Sequence, residues 1–294
     1  MMYQLEQTVP ARLSLRINER FGDHAPMMIS KALDTLCEAE ERLGFVIKGF
    51  VSSSGRSLVA EVEMHGLTGI CKVPFVYASV VIRAIVSSAR DGSGPGIIHE
   101  DEKFVIMEKV EGTQAKLDLD LVHTVILAAE RRAVDRLSFS VKQVMSMVVS
   151  ESGRRATRSA HVDTFAKLLR VHEAISKSCD RLQSFQCHGD ASVRNVIDTG
   201  DRLYFIDPEP VIAPVEFDVA KLLSFGNALD IDLVERGELR ISDVVEERLA
   251  PFADALSSDQ SLDYQMITWI TEFFLLVRGI SSSAFTAYER QINW

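Results

Sequence analysis

The chain has 294 residues, 47% of them hydrophobic and 25% charged, with 16 Gly and 8 Pro. That is enough to bury one large core or two lobes, and too ordinary a composition for a long disordered tract. The formal charge of −10 sits in the C-terminal third, where residues 187–294 hold 8 Lys and Arg against 19 Asp and Glu, a balance that repels nucleic acid and attracts cations. No apolar run approaches the ~20 residues of a membrane span, and Cys37, Cys71, Cys179 and Cys187 show no CxxC or zinc spacing, so a cytoplasmic protein with reduced thiols is expected.

Residues 1–26 have weak periodicity and predict no definite element. Apolar Ile29, Leu33, Leu36 and Leu43 fall at helical spacing before Gly44, which predicts an amphipathic helix leading into a sheet. Phe45 to Val51, Leu58 to Met64 and Thr68 to Val73 predict three strands, the last two joined by a turn at His65-Gly66. Ser52 to Val59 keeps the frame G-x-G-x-x-G-x-V with Ser at all three Gly places, and its backbone and hydroxyl donors suit phosphate oxygens. An ordinary hairpin turn would read the same. Lys72 is a lone cation within an apolar strand, and a buried ammonium calls for an anion. With His65-Gly66 as the turn, Lys72 pairs with Val59. The helix predicted from Val76 to Ser88 offers it no acid, so either another acid meets it, with Glu61 on the same sheet face a candidate, or it relies on nucleotide phosphates alone. A second hairpin is expected from Ile97 to Met107. Leu119 to Arg136 and Val162 to Ser178 read as helices, with the basic, polar stretch 150–158 between them as an exposed loop. Val219 to Leu229, Val244 to Leu256 and Tyr264 to Ile280 read as further helices, Trp269, Phe273 and Phe274 forming a core stripe.

Chemistry concentrates between Cys187 and Leu223. His188-Gly189-Asp190 is followed five residues later by Asn195, then by the apolar pair Val196-Ile197, turn residues Thr199-Gly200-Asp201-Arg202, and the run Leu203 to Ile206 before Asp207. If Gly200-Asp201 form a two-residue turn, Asn195 and Asp207 emerge side by side at the open end of a hairpin. An amide oxygen and a carboxylate converging beside a third acid suit Mg²⁺ held between protein and phosphates, which points to phosphoryl transfer.

The run His188-Gly189-Asp190-x4-Asn195, with Ile206-Asp207-Pro208 and Glu216-Phe217-Asp218-Val219-Ala220, resembles the aminoglycoside phosphotransferase family, nearest to its streptomycin and hydroxyurea type kinases. The resemblance implies an α+β, bilobal protein-kinase-like fold, with a small antiparallel-sheet lobe over residues 1–110 that binds nucleotide and a mainly helical catalytic lobe over 111–294. It implies Asp190 as the base, Asn195 and Asp207 as ligands of Mg²⁺, and Asp218 at the start of a helix, accepting backbone N–H bonds beneath the catalytic loop. ATP as phosphoryl donor would be met by Ser53, Ser54, Gly55, Val59 and Lys72, and by the backbone of Glu108 and Val110 in the segment Glu108 to Gly112. Where the family usually has His or Pro between Asp and Asn, this chain has Ala191-Ser192-Val193-Arg194. The expected activity is ATP-dependent O-phosphorylation of a small molecule, a cationic aminoglycoside-like hydroxyl compound by charge, with Glu209 as the acid nearest the acceptor and no nucleic-acid or membrane partner. A nucleotide-holding pseudokinase, or a kinase of another small hydroxyl metabolite, is the alternative.

Overall fold

The computed structural model of the chain describes residues 9–51, 56–132, 134, 138–159, 161–225 and 229–291, with 12, 158, 159 and 282–291 described by backbone alone. The chain divides into two compact units, residues 1–113 with 197–206, and residues 114–196 with 207–294. This differs from a single cut at 110/111, because the hairpin between Asn195 and Asp207 groups with the first unit.

In the first unit five strands, β1 (Val46–Phe50), β2 (Ser57–Met64), β3 (Leu67–Pro74), β4 (Ile97–Glu100) and β5 (Val105–Glu108), pair antiparallel in the order β1-β2-β3-β5-β4. His65 (φ +52°) and Gly66 (φ +81°) are both left-handed, the backbone that a two-residue hairpin needs to match strand twist. Alternation then sorts the two faces. Leu58, Ala60, Val62, Cys71, Val73 and Ile106 pack against α1 (Ala11–Phe21) and α2 (Ala25–Leu43), whose Leu13, Ile17, Leu33 and Leu36 are buried at helical spacing. Val105 and Met107 face Ile82, Ile85 and Val86 of α3 (Ala78–Arg90). The weakly periodic N-terminus therefore contains a helix, α1.

In the second unit the long helix α11 (Tyr264–Gln291) packs against α5 (Val141–Ser159), α6 (Val162–Ser178) and α7 (Glu216–Leu223). Phe273 and Phe274 are buried on it, and Phe274 meets Phe217 edge to face at 5.2 Å between ring centres. The stretch 150–158 is not a loop. It is the second half of α5, with Ser152 and Ala156 buried and Gly153 set so close to Phe165 that a Cβ there would lie 2.8 Å from the ring. Helix α4 (Leu119–Arg131) ends earlier than its apolar pattern suggests, and the expected helix from Val244 to Leu256 is two, α9 (Ile241–Leu249) and α10 (Ala253–Ser258), divided at Pro251. A three-stranded sheet, β7 (Phe139–Ser140), β11 (Val211–Ala213) and β8 (Phe185–Cys187), delivers the chain into His188-Gly189-Asp190. Among the described residues no helix is long and apolar enough to cross a membrane.

Candidate active site

Strand β8 ends at Cys187, pinned across β11 by its pairing with Val211. The next residues cannot continue as strand, because Gly189 is left-handed (φ +79°) and a Cβ on it would lie 1.7 Å from the Glu209 carbonyl oxygen. Only glycine fits. The Glu209 N–H donates to His188 O at 2.8 Å, so the segment that follows Asp207 is stitched to the loop that carries Asp190.

Asp218, buried near the start of α7, accepts from His188 N–H at 2.5 Å and from Gly189 N–H at 2.8 Å. Burial pushes its pKa up, while Arg132 and those two backbone donors pull it down. Each charge-assisted bond is worth about 1.5–3 kcal/mol, which is how one side chain fixes the loop's direction.

Asp190 itself is half-buried. Its Oδ2 accepts from Asn195 Nδ2 at 2.8 Å, and the same amide reaches Asp190 O at 2.9 Å. With Nδ2 committed, Oδ1 is the atom that Asn195 has left for a metal. On the other carboxylate oxygen Lys221 Nζ stands 3.1 Å away, itself 4.4 Å above the Phe274 ring. Asp207 takes a left-handed backbone, φ +57°, which costs a non-glycine residue about 1–3 kcal/mol and persists only where its surroundings impose it. Among the described residues no cluster of three His, Cys, Asp or Glu could cage a metal ion. Mg²⁺ held by one amide, one carboxylate and nucleotide phosphates needs no such cage, so the donor set of Asn195 and Asp207 fits it.

The nucleotide residues expected from the sequence lie in the first unit. Lys72 is buried, opposite Val59 on β2 and Val105 on β5. Glu61, the acid suggested for Lys72, is engaged by Lys109, with Nζ to Oε2 at 3.1 Å. Glu108 commits its N–H to Gly96 O at 2.8 Å, and Val110 follows it beyond the end of β5. Ser53, Ser54 and Gly55 lie outside the described residues. The hairpin after Asn195 forms as its turn residues predict, β9 (Val196–Asp198) and β10 (Leu203–Phe205) closing with Thr199 N–H on Arg202 O at 3.2 Å around Gly200 (φ +86°).

Sequence reasoning overlooked Lys221 and gave Arg194 no role of its own. Lys221 lies three residues after Asp218, one turn along the same helix face, and that spacing is the signal that would have placed it at the loop. Arg194 fills a position where the departure from the family's pattern is itself the signal. Its guanidinium lies over the Phe225 ring, 5.1 Å from the centre.

Comparison with known proteins gives a fold. A choline kinase from Cryptosporidium parvum Iowa II aligns over 96% of this chain and 95% of its own, at 12% identity and a TM-score of 0.50. The fold is kinase-like. An aminoglycoside-3'-phosphotransferase of type VIII aligns over 85% of this chain and 99% of its own at 18% identity and TM-score 0.49, and a spectinomycin phosphotransferase in complex with ADP and spectinomycin over 86% and 98% at 15% and 0.47. No protein-family model matches the chain, and no curated protein matches it in sequence.

Proposed function

We propose that this chain is an ATP-dependent small-molecule O-phosphotransferase. The observation that carries the reading is the built catalytic loop: Asp190 is held by Asn195 and Lys221, on a backbone fixed by Asp218. A carboxylate aimed by two partners can orient an acceptor hydroxyl and take its proton, and positioning of this kind supplies most of the catalysis in phosphoryl transfer. Asn195 and Asp207 would hold Mg²⁺, which when bound bridges the donor's phosphates and neutralises their charge. Lys72 would meet the α- and β-phosphates, and the segment from Glu108 to Val110 the adenine. The fold shared with a choline kinase agrees with a small acceptor.

A cationic, aminoglycoside-like acceptor is supported by the net −11 of residues 187–294 alone. Glu209, the residue expected to greet it, contributes its backbone to the loop through His188 and Gly189. The test is ADP release from Mg-ATP against a panel of cationic, neutral and anionic hydroxyl compounds. The expected result is acceptor-dependent ADP formation that vanishes in Asp190→Asn. Acceptor-independent hydrolysis, or full turnover in that variant, would overturn the assignment.

A further inference from the structure

Of the eight Lys and Arg residues in the acidic C-terminal third, four gather at one place. Lys221 stands on Asp190. One turn further along, where α7 ends, the Phe225 ring has Arg194 over it at 5.1 Å and Arg278 at 5.4 Å, and Phe225 O accepts from Arg248 Nη1 at 3.0 Å. Arg278 Nη1 also donates to Ser224 O at 2.6 Å. Three guanidiniums thus meet at one residue, brought from the catalytic loop, from α9 and from α11. Like charges do not assemble this way without cause. Bonds to the last carbonyls of α7 account for Arg248 and Arg278 as caps of the helix C-terminus. They do not account for Arg194, an exposed side chain from the loop between Asp190 and Asn195. Arg278 also feels the crowding, its pKa lowered first by burial and then by Arg194 and Arg248, with Asp190 acting in the other direction. Arg248 spends one of its five N–H donors on Phe225, and the planar fork of the remainder matches an oxyanion.

We propose that Arg194, Arg248 and Arg278 form an oxyanion site beside Asp190, which takes a carboxylate or phosphate group carried by the acceptor. The inference rests on the kinase reading and deepens it, since it makes the acceptor a hydroxy acid or a phosphorylated alcohol rather than a polyamine. The local charge at the base, not the sum over the chain, selects the substrate.

The test is calorimetric titration of the full chain with the nucleotide site filled by a non-hydrolysable Mg-ATP analogue, using inorganic phosphate and malonate as anion probes and choline and streptomycin as cation probes. Saturable anion binding is expected, weakened roughly tenfold or more in each of Arg194→Gln and Arg248→Gln, as befits a lost charge-assisted bond. Malonate binding more tightly than phosphate assigns a carboxylate, and the reverse assigns a phosphate. Failure of both anions to bind, anion affinity unchanged in both variants, or binding of a cation probe that both variants leave unaltered would overturn the site. Asp190→Asn separates the two readings: anion affinity should persist in it while turnover is lost. Anion binding in a protein that forms no ADP with any acceptor would sink the kinase reading and leave the arginine site standing.

Discussion

Gly189 shows how little freedom the loop that carries Asp190 has. Its left-handed backbone and the 1.7 Å approach of a Cβ to the Glu209 carbonyl mean that Gly189→Ala must displace either the loop or the segment after Asp207. We expect a loss of several kcal/mol, about 1–2 from the backbone conformation and the rest from the clash, read as a fall in melting temperature together with loss of turnover. A variant of wild-type stability would contradict the packing. Asp190→Asn acts differently. The volume is kept and the proposed base is lost, so kcat should drop roughly a hundred- to ten-thousand-fold with Mg-ATP affinity little changed, measured by steady-state kinetics alongside nucleotide titration. At this scale the sequence was most legible where a side chain acts on the backbone of its own motif, as Asp218 does on His188 and Gly189. It was least legible where meaning arises only through packing. Nothing local to Lys221 or Arg194 says that one meets Asp190 and the other meets Phe225.

Elements were readable where turn chemistry and alternation agree. The turn at His65-Gly66 sets Lys72 opposite Val59 because both residues accept positive φ and the strand period is two. Helix α5 was misread for the opposite reason. Among its described side chains, the second half buries the small residues Ser152 and Ala156 beside the bare backbone at Gly153, so the apolar stripe that announces a helix is missing while its charged face is conspicuous. The fit of Gly153 against Phe165 makes a prediction. Gly153→Leu should overpack the α5–α6 contact and cost about 1–3 kcal/mol, visible in urea unfolding, while the KM for ATP stays as it was. An unchanged unfolding midpoint would mean that the two helices can separate without loss.

For the whole molecule, charge and thiols set the response to pH. Burial raises Cys71 to about 12 and Cys179 to about 11, and pushes Cys187 well above the usual thiol value of 9.0. A thiol whose pKa is raised by folding stays protonated in the native state while its unfolded counterpart ionises. Its contribution is therefore complete below pH 9.0 and is lost as pH climbs toward the folded values, at about 1.4 kcal/mol per pH unit for each thiol. Melting temperature should fall steeply between pH 9 and 11, and less steeply in Cys71→Ala. A flat profile over that range would refute the burial of these groups. Net charge is a coarse guide at this scale, because a sum over residues 187–294 does not show four cations gathered around Asp190 and Phe225. The division of the chain has a further consequence for anyone who would take it apart. Since residues 197–206 group with the first unit, the polypeptide passes from one unit to the other three times, and two of those passages fall within two residues of Asn195 and Asp207. A gene cut after residue 113 would thus yield an N-terminal fragment lacking its own hairpin and a C-terminal fragment with that hairpin orphaned. Neither half should fold alone, and activity should return only on co-expression, as a split-protein complementation pair.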